Sequence, residues 1–283
     1  MTGPQCWTAH GREVDWWMDA PAVPRAGSGC AQCGGMRLTP REWRARLLAA
    51  READKLVPWI MVLAVLLSTG GFLLLSGAVR DQDTQALDER VLVSLRRAER
   101  PELPVGPSWL AEVARDVTAL GSMTVLALVV LAVVGFLVLV RRWRTLALVL
   151  GSTVGGTVFN SLLKNLFARP RPSVVPHLTG VLSESFPSGH AMLSAIVYLT
   201  MGALLGQLVS RRWLQAYLMA VAVALTLLIG VTRVYLGVHY PTDVLGGWLA
   251  GLGWALLSAL VARGARRRSP GLREEARGET APP

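Results

Sequence analysis

A set of ionisable side chains stands in or beside apolar stretches that are long enough to cross a bilayer. The set is Lys164, Arg169, Arg171, His190, Arg233, His239 and Asp243. Charged groups at membrane depth are rare and mark functional sites, unless they lie at a span end and reach the lipid headgroups. Lysine and arginine supply positive charge and several N–H donors, which is the equipment for holding a phosphate. Lys164, Arg171 and Arg233 therefore predict a phosphate-binding site.

Two histidines, His190 and His239, accompany these cations. An imidazole titrates near neutral pH, so each histidine can act as an acid, a base or a nucleophile. Asp243 follows His239 by one helical turn and can accept a hydrogen bond from it, which would fix the tautomer of the ring. These residues alone leave open which histidine attacks. A metal site of two histidines and one aspartate is the alternative, but the neighbouring cations oppose a divalent ion.

The segment Pro187-Ser188-Gly189-His190 contains turn-forming residues and runs directly into an apolar stretch. Gly189 at a helix start can present backbone N–H groups to an anion. The hydroxyl of Ser188 is a further donor. We expect both residues to bind the same phosphate as the cations.

The elements that must position these residues are apolar: the chain is 52% hydrophobic and 17% charged, with a mean hydropathy of +0.41. A membrane-spanning helix needs about 20 mostly apolar residues. Uncharged windows of that kind are Leu56–Val79, Val117–Val140, Thr145–Leu163, Ala191–Ser210, Trp213–Thr232 and Val244–Ala262. They predict an all-α, polytopic membrane protein with a bundle of six transmembrane helices over 56–262.

The net charge of +10 reflects arginine clusters between and beside the spans. The clusters lie before the first span, at 141–144, at 211–212 and at 263–268. They share one face if both termini are cytoplasmic, which is the positive-inside pattern. The partner of this charge is therefore the bilayer and not nucleic acid. Alternation through six spans then places every candidate site residue on the extracytoplasmic face of the cell membrane.

The flanking segments carry weaker signals. We expect a disordered cytoplasmic leader over 1–40, a basic interfacial helix over 41–55 and a disordered cytoplasmic tail over 263–283. Cys6, His10, Cys30 and Cys33 in the leader have the ligand types of a zinc site, although the wide gap after His10 weakens that hypothesis. The oligomeric state stays open.

The extracytoplasmic segment 80–116 contains Leu87, Val91 and Leu95 at a four-residue step, which predicts a short amphipathic helix. Prolines 101, 104 and 107 end it. Such a helix would rest on the membrane surface or act as a lid over the site.

Taken together, the charged positions form three motifs that resemble the signature of the phosphatidic acid phosphatase type 2 (PAP2) superfamily. The first motif, K-x6-R-P, ends in Arg171-Pro172; the second is P-S-G-H at 187–190; the third runs from Thr232-Arg233 through His239 to Asp243. The third departs from the family pattern, because Thr232 stands where the pattern has serine. The resemblance covers roughly residues 56–262.

The resemblance implies a membrane phosphatase that needs no metal and no other cofactor. It assigns His239 as the nucleophile oriented by Asp243, and His190 as the acid that protonates the leaving oxygen. The phosphate-binding residues would be Lys164, Arg171, Ser188, Gly189 and Arg233. The expected substrate is a lipid phosphate: undecaprenyl pyrophosphate, phosphatidate or phosphatidylglycerol phosphate. A phosphotransferase using the same phosphohistidine is the alternative, and a transporter of phosphate or anionic lipid is a more distant one.

Overall fold

The computed structural model describes residues 40–180 and 183–267, with side chains from residue 55 to residue 265. The chain divides into two compact units, Met1–Ala49 and Ala50–Pro283. Most of the first unit lies outside the described residues, and so do the predicted leader and the zinc hypothesis for Cys6, His10, Cys30 and Cys33. The part of the predicted tail beyond Arg267 lies outside them as well.

Eight helices and a two-stranded antiparallel hairpin form the described part of the chain. In order they are α1 (Pro40–Arg80), α2 (Gln85–Ser94), β1 (Arg96–Arg97), β2 (Arg100–Pro104), α3 (Ser108–Ala119), α4 (Met123–Leu139), α5 (Trp143–Phe167), α6 (Gly189–Gln207), α7 (Arg212–Tyr235) and α8 (Pro241–Arg267). Five helices are long and apolar enough to cross a membrane, and α3 with α4 makes a sixth if the bent pair counts as one span. The all-α membrane fold is confirmed.

The second predicted span, Val117–Val140, is not one straight helix. α3 ends at Ala119, α4 begins at Met123, and the two axes differ by 42°. Ser122 caps α4, because its side chain accepts a hydrogen bond from the backbone N–H of Val125 at 3.3 Å. Apolar residues continue on both sides of the bend, so hydropathy could not show it.

Two other predicted boundaries also differ from the structure. The helix predicted over 41–55 and the first span form one continuous helix, α1. At the other end, α8 continues to Arg267, so the tail predicted to begin at Arg263 is still helical there. In both cases a cluster of basic residues ends the uncharged window but not the helix, because lysine and arginine are good helix formers.

The bundle packs around α6, whose residues Ala191–Val197 are all buried. Its approach to α8 depends on two glycines at four-residue spacing. A Cβ atom on Gly247 would lie 2.7 Å from the carbonyl oxygen of Ser188, and one on Gly251 would lie 2.6 Å from that of Met192. Small residues permit such close helix packing in membranes. The contact holds the start of α6 against the first turns of α8.

Phe186 anchors the connection between α5 and α6 in the core of the bundle. Its side chain is fully buried, stacks on Phe72 with ring centroids 5.8 Å apart and meets Phe167 edge-on at 4.9 Å. Gly246 on α8 leaves room for this ring, because a Cβ there would lie 2.7 Å from Cε2 of Phe186. Ser185 and Ser188, on either side of this anchor, are therefore held against the bundle.

The segment 80–116 contains the predicted short helix, α2, together with a hairpin that the sequence did not predict. Leu87 and Val91 are 59% and 36% exposed, whereas Asp88 and Leu92 are completely buried. The apolar step thus marks the exposed face of α2, and a carboxylate lies on its inner face. Contact of that exposed face with lipid remains a prediction.

Candidate active site

The predicted site residues all lie at one end of the bundle. Lys164 is in the last turn of α5, Gly189 and His190 open α6, Arg233 is in the last turn of α7 and Asp243 is in the first turn of α8. The helices alternate in direction, so two C-terminal ends and two N-terminal ends meet. Arg171 and Ser188 precede α6, and His239 precedes α8.

His239 and Asp243 form a buried pair at the centre of this end. Their side chains are 1% and 0% exposed, and Nδ1 of His239 lies 3.5 Å from Oδ2 of Asp243. The other ring nitrogen, Nε2, lies 3.3 Å from a guanidinium nitrogen of Arg171. Asp243 thus accompanies one nitrogen of the ring, and the second nitrogen faces a cation. Apo catalytic hydrogen bonds are often long in this way and shorten when the substrate binds.

Burial lowers the pKa of His239 to about 4. The carboxylate of Asp243 acts against this shift, while the charges of Arg171 and Arg233 reinforce it. The ring is therefore neutral at physiological pH, which is the protonation state that a nucleophilic imidazole requires.

Three cations border the pair without a carboxylate partner of their own. Lys164 donates to Oγ of Ser183 at 3.1 Å, and Arg171 donates to the carbonyl oxygens of Ser183 and Val238, each at 2.6 Å. Among the described residues, none of Lys164, Arg171 and Arg233 forms an ion pair. We refer to these three side chains as the open cations. Arg233 is 3% exposed, and a buried cation without an ion-pair partner is expected to have an anionic ligand.

Two buried donor atoms of the predicted site residues have no hydrogen-bond partner among the residues that the structure describes. They are Nε of Arg233 and Oγ of Ser188, on residues that are 3% and 0% exposed. Within the described part of the chain, the other hydrogen bond of Arg233 is a long one, 3.4 Å, to the hydroxyl of Thr118. The backbone N–H of Ser188 donates to the carbonyl oxygen of Asp243 at 2.9 Å, which fixes its position relative to the pair. Both unpaired atoms can donate, so they suit the oxygens of a phosphate.

Gly189 lets the start of α6 approach the end of α5. A Cβ atom there would lie 3.3 Å from Nδ2 of Asn160 and 3.6 Å from Cε of Lys164. The first backbone N–H groups of a helix have no partner within the helix, so an anion can receive them. His190 follows and lies within electrostatic range of all three open cations and of His239. The structure therefore brings the eight predicted site residues into one cluster.

A second arginine cluster supports the pair from behind. The guanidinium of Arg169 donates to Oδ1 of Asp243 at 2.7 Å and to Oγ1 of Thr242 at 2.9 Å. Its other terminal nitrogen donates to Oδ2 of Asp88 at 2.9 Å and to Oε1 of Gln85 at 3.0 Å. We refer to these five residues as the Arg169 network. The carboxylates of Asp243 and Asp88 outweigh burial and raise the pKa of Arg169 above its usual value.

Sequence reasoning gave no role to most of this network. Arg169 was recognised as an ionisable residue beside a span, but nothing in its spacing indicated a partner. Asp88 lies in an outer segment with several other acidic residues, so no signal distinguished it. Ser185, whose hydroxyl makes a short hydrogen bond to Oδ2 of Asp243, was also missed.

The serine-to-threonine departure in the third motif has a local explanation. The hydroxyl of Thr232 donates to the carbonyl oxygen of Ile229 at 2.7 Å, one turn earlier in α7. Serine and threonine both make this bond to their own helix. The departure leaves the neighbouring Arg233 in place.

Comparison with known proteins identifies the class. Residues 125–267 match the PAP2 superfamily. Phosphatidylglycerophosphatase B of Bacillus subtilis (strain 168) is 35% identical over 187 residues, which are 64% of this chain and 86% of that protein. Undecaprenyl-diphosphatase of Sulfolobus acidocaldarius is 31% identical over 135 residues, which are 46% of this chain and 61% of that protein. The chain belongs to the PAP2 superfamily.

The fold comparison agrees with this assignment. The crystal structure of the first transmembrane PAP2 type phosphatidylglycerolphosphate phosphatase from Bacillus subtilis matches with a TM-score of 0.61 at 29% identity. The match covers 72% of this chain and 96% of that one. The predictions of a multi-pass membrane protein and of a phosphatase are confirmed.

Proposed function

We propose that the chain hydrolyses the phosphate of a membrane lipid through a phosphohistidine formed on His239. The observation that carries this proposal is the different environment of the two ring nitrogens. Asp243 lies against Nδ1, and Nε2 points toward Arg171, one of the open cations. A phosphate held by the open cations would therefore present its phosphorus to Nε2.

The proposed reaction has two transfers. Nε2 of His239 attacks phosphorus, the bond from phosphorus to the lipid oxygen breaks, and His190 gives that oxygen a proton. Water then attacks the phosphohistidine, His190 takes a proton from the water, and inorganic phosphate leaves as the nitrogen–phosphorus bond breaks. Asp243 accepts the Nδ1–H hydrogen bond throughout and stabilises the positive ring. Lys164, Arg171, Arg233, Ser188 and Gly189 hold the phosphate oxygens.

For the substrate, phosphatidylglycerol phosphate is the first choice. The curated relative covered over 86% of its length and the solved structure covered over 96% both carry that name. Undecaprenyl diphosphate follows, since a second relative is named for it, and phosphatidate is the third candidate.

The arginine clusters support an extracytoplasmic site with both termini in the cytoplasm. Arg141, Arg142 and Arg144 precede or open α5, and Arg211 and Arg212 precede or open α7. The site lies at the other ends of those helices. Positive charge favours the cytoplasmic side, so we place the site outside. A cysteine introduced at exposed Glu102 should react with a membrane-impermeant maleimide in intact cells, and protection until lysis would reverse the topology.

The test of the activity is phosphate release by purified protein in detergent with EDTA, on each of the three lipids. We expect release from at least one lipid, and a loss of about 10³-fold or more in kcat for His239→Ala. His177→Ala is the matched control, because His177 bonds to the carbonyl oxygen of Pro172 at 2.7 Å and lies outside the proposed machinery. Radiolabel from the lipid phosphate should become attached to wild-type protein but not to His239→Ala.

Two outcomes would change the proposal. A wild-type kcat in His239→Ala would show that the reaction does not proceed through a phosphohistidine on His239. Transfer of the label to an added lipid or sugar alcohol, without inorganic phosphate, would make the protein a phosphotransferase.

A further inference from the structure

We propose that Arg169 is a positioning residue that orients Asp243 toward His239 and joins the catalytic pair to helix α2. This inference rests on the proposed function, because it gives Arg169 a task in that reaction. Arg169 touches neither the proposed phosphate position nor the ring of His239. It would act through Asp243.

The first support is the geometry around Asp243. The guanidinium of Arg169 forms an ion pair with Oδ1 of that carboxylate at 2.7 Å. The other oxygen, Oδ2, accepts from the hydroxyl of Ser185 and from the backbone N–H of Tyr240, the latter at 2.9 Å, and faces Nδ1 of His239. With Oδ1 held on the far side, the carboxylate cannot rotate without losing an ion pair. Arg169 thereby keeps Oδ2 turned toward the histidine.

The second support is the fork of the guanidinium. Asp88 binds the other terminal nitrogen of Arg169 at 2.9 Å, and both carboxylates are completely buried. An arginine can serve two carboxylates in fixed directions, whereas the single ammonium of lysine cannot reproduce both contacts. The guanidinium also lies over the ring of Tyr240, with its carbon 4.2 Å from the centroid. Together these contacts fix the position of the Arg169 guanidinium.

The third support is the connection to α2. Oδ1 of Asp88 accepts the backbone N–H of Thr242 at 3.1 Å, and Oδ2 accepts the hydroxyl of the same residue. α2 is therefore hydrogen-bonded to the first turn of α8, the turn that carries Asp243. The buried face of α2, which carries Asp88, consequently supports the catalytic pair. The four-residue apolar step in the sequence of α2 did not indicate this contact.

The experiment compares kcat and KM of Arg169 variants on the lipid that wild-type protein hydrolyses. Arg169→Lys keeps the charge and loses the fork, so we expect kcat to fall about 10-fold while KM changes less than about threefold. The double variant R169Q/D88N removes one positive and one negative charge together, and its kcat should fall about 100-fold. Arg169→Lys should thus retain about a tenth of the wild-type kcat, about ten times more than the double variant.

The matched control is Arg96→Lys. Arg96 is also a buried arginine of the outer surface, but it donates to the backbone carbonyls of Leu95, Tyr235 and Pro176 and touches neither member of the catalytic pair. We expect its kcat to stay within about threefold of wild type. Folding of all variants is checked by gel filtration and by thermal unfolding in detergent.

Several results would overturn the proposal. One is wild-type kcat in folded Arg169→Lys, which decides the question even if the double variant does not fold. Another is a rise in KM at constant kcat, which would place Arg169 in substrate binding. An equal loss in Arg96→Lys would reduce the effect to general destabilisation. A wild-type protein that releases no phosphate from any lipid would instead overturn the proposed function, and the positioning role with it.

Discussion

Arg233 and Arg169 lie at the same end of the bundle, and both are buried, yet their surroundings are opposite. Among the residues described, Arg233 has an unpaired Nε and one long contact to a hydroxyl. Arg169 has two carboxylates, a hydroxyl, an amide and an aromatic ring. A buried guanidinium without counter-charge destabilises the protein that contains it, whereas a fully paired one holds its partners in place. The unpaired guanidinium suits the binding of an anionic ligand, and the fully paired one suits a structural role.

Asp243 separates the two regions. One oxygen of its carboxylate binds Arg169, and the other faces Nδ1 of His239. The second ring nitrogen of His239, Nε2, lies 3.3 Å from Arg171, one of the open cations. The two regions therefore differ in whether their cations form ion pairs with carboxylates. The buried carboxylates of Asp88 and Asp243 both form ion pairs with Arg169, whereas none of the open cations forms one among the described residues.

The largest expected effect comes from changing the residue shared by both regions. Asp243→Asn keeps the shape of the side chain but removes the charge that supports a positive histidine ring. We expect kcat to fall by about 10³-fold with little change in KM, measured as phosphate release in detergent.

Asp88→Asn is the comparison for that variant, because Asp88 binds Arg169 without touching His239. Its kcat should fall less than about 10-fold. An equal loss in both variants would contradict the division into a reacting side and a supporting side.

The next largest effect concerns an open cation. Arg233→Gln should lower kcat/KM by about 100-fold, because one charged donor to the phosphate is lost where charge develops in the transition state. Inorganic phosphate should raise the unfolding temperature of wild-type protein, since it binds only the folded state. The variant should lose most of that rise.

The stability of the empty protein sharpens this prediction. Arg233→Gln removes an unpaired buried charge, so without phosphate its unfolding temperature should equal or exceed that of wild type. A variant much less stable than wild type would show that Arg233 is paired in the resting protein after all.

The sequence predicted the spans because the signal for a membrane helix is additive over about 20 residues. It predicted which helix ends carry the site because spans alternate in direction. It did not predict the bend at Gly121-Ser122 or the continuation of α8 past Arg263. The bend involves capping by Ser122, and the continuation of α8 reflects the helix propensity of arginine; apolar composition records neither.

The candidate site could be predicted from the sequence where charged residues are rare. Lys164, Arg171 and His239 stand out because charges are scarce beside spans. Asp88 and Ser185 could not be found in the same way. Their importance comes from three-dimensional contacts across long sequence separations, as in the bond from Asp88 to Thr242, and the sequence near them resembles any polar connection.

A smaller effect is expected from pH. The pKa of His239 is lowered by burial to about 4, so between that value and the ordinary 6.5 the unfolded chain binds a proton that the folded protein does not. Stability therefore falls as pH falls through this window, by about 2 kcal/mol at pH 5 from this residue alone. The measurement is the unfolding temperature in detergent at pH 7 and pH 5, for wild type and His239→Gln. The variant should lose less stability than wild type, and an equal loss would mean that the pKa of His239 is not lowered in the folded protein.

The smallest effect should come from a hydroxyl that serves neither region. Thr232 donates to the carbonyl oxygen of Ile229 in its own helix, so Thr232→Ser, which restores the family residue, should leave kcat/KM within about twofold. Ser188→Ala is the contrast, because its buried Oγ has no hydrogen-bond partner in the part of the chain that the structure describes. If that hydroxyl donates to phosphate, its loss should lower kcat/KM about 10-fold. A large change in Thr232→Ser, or none in Ser188→Ala, would mean that the unpaired buried donors do not mark the phosphate position.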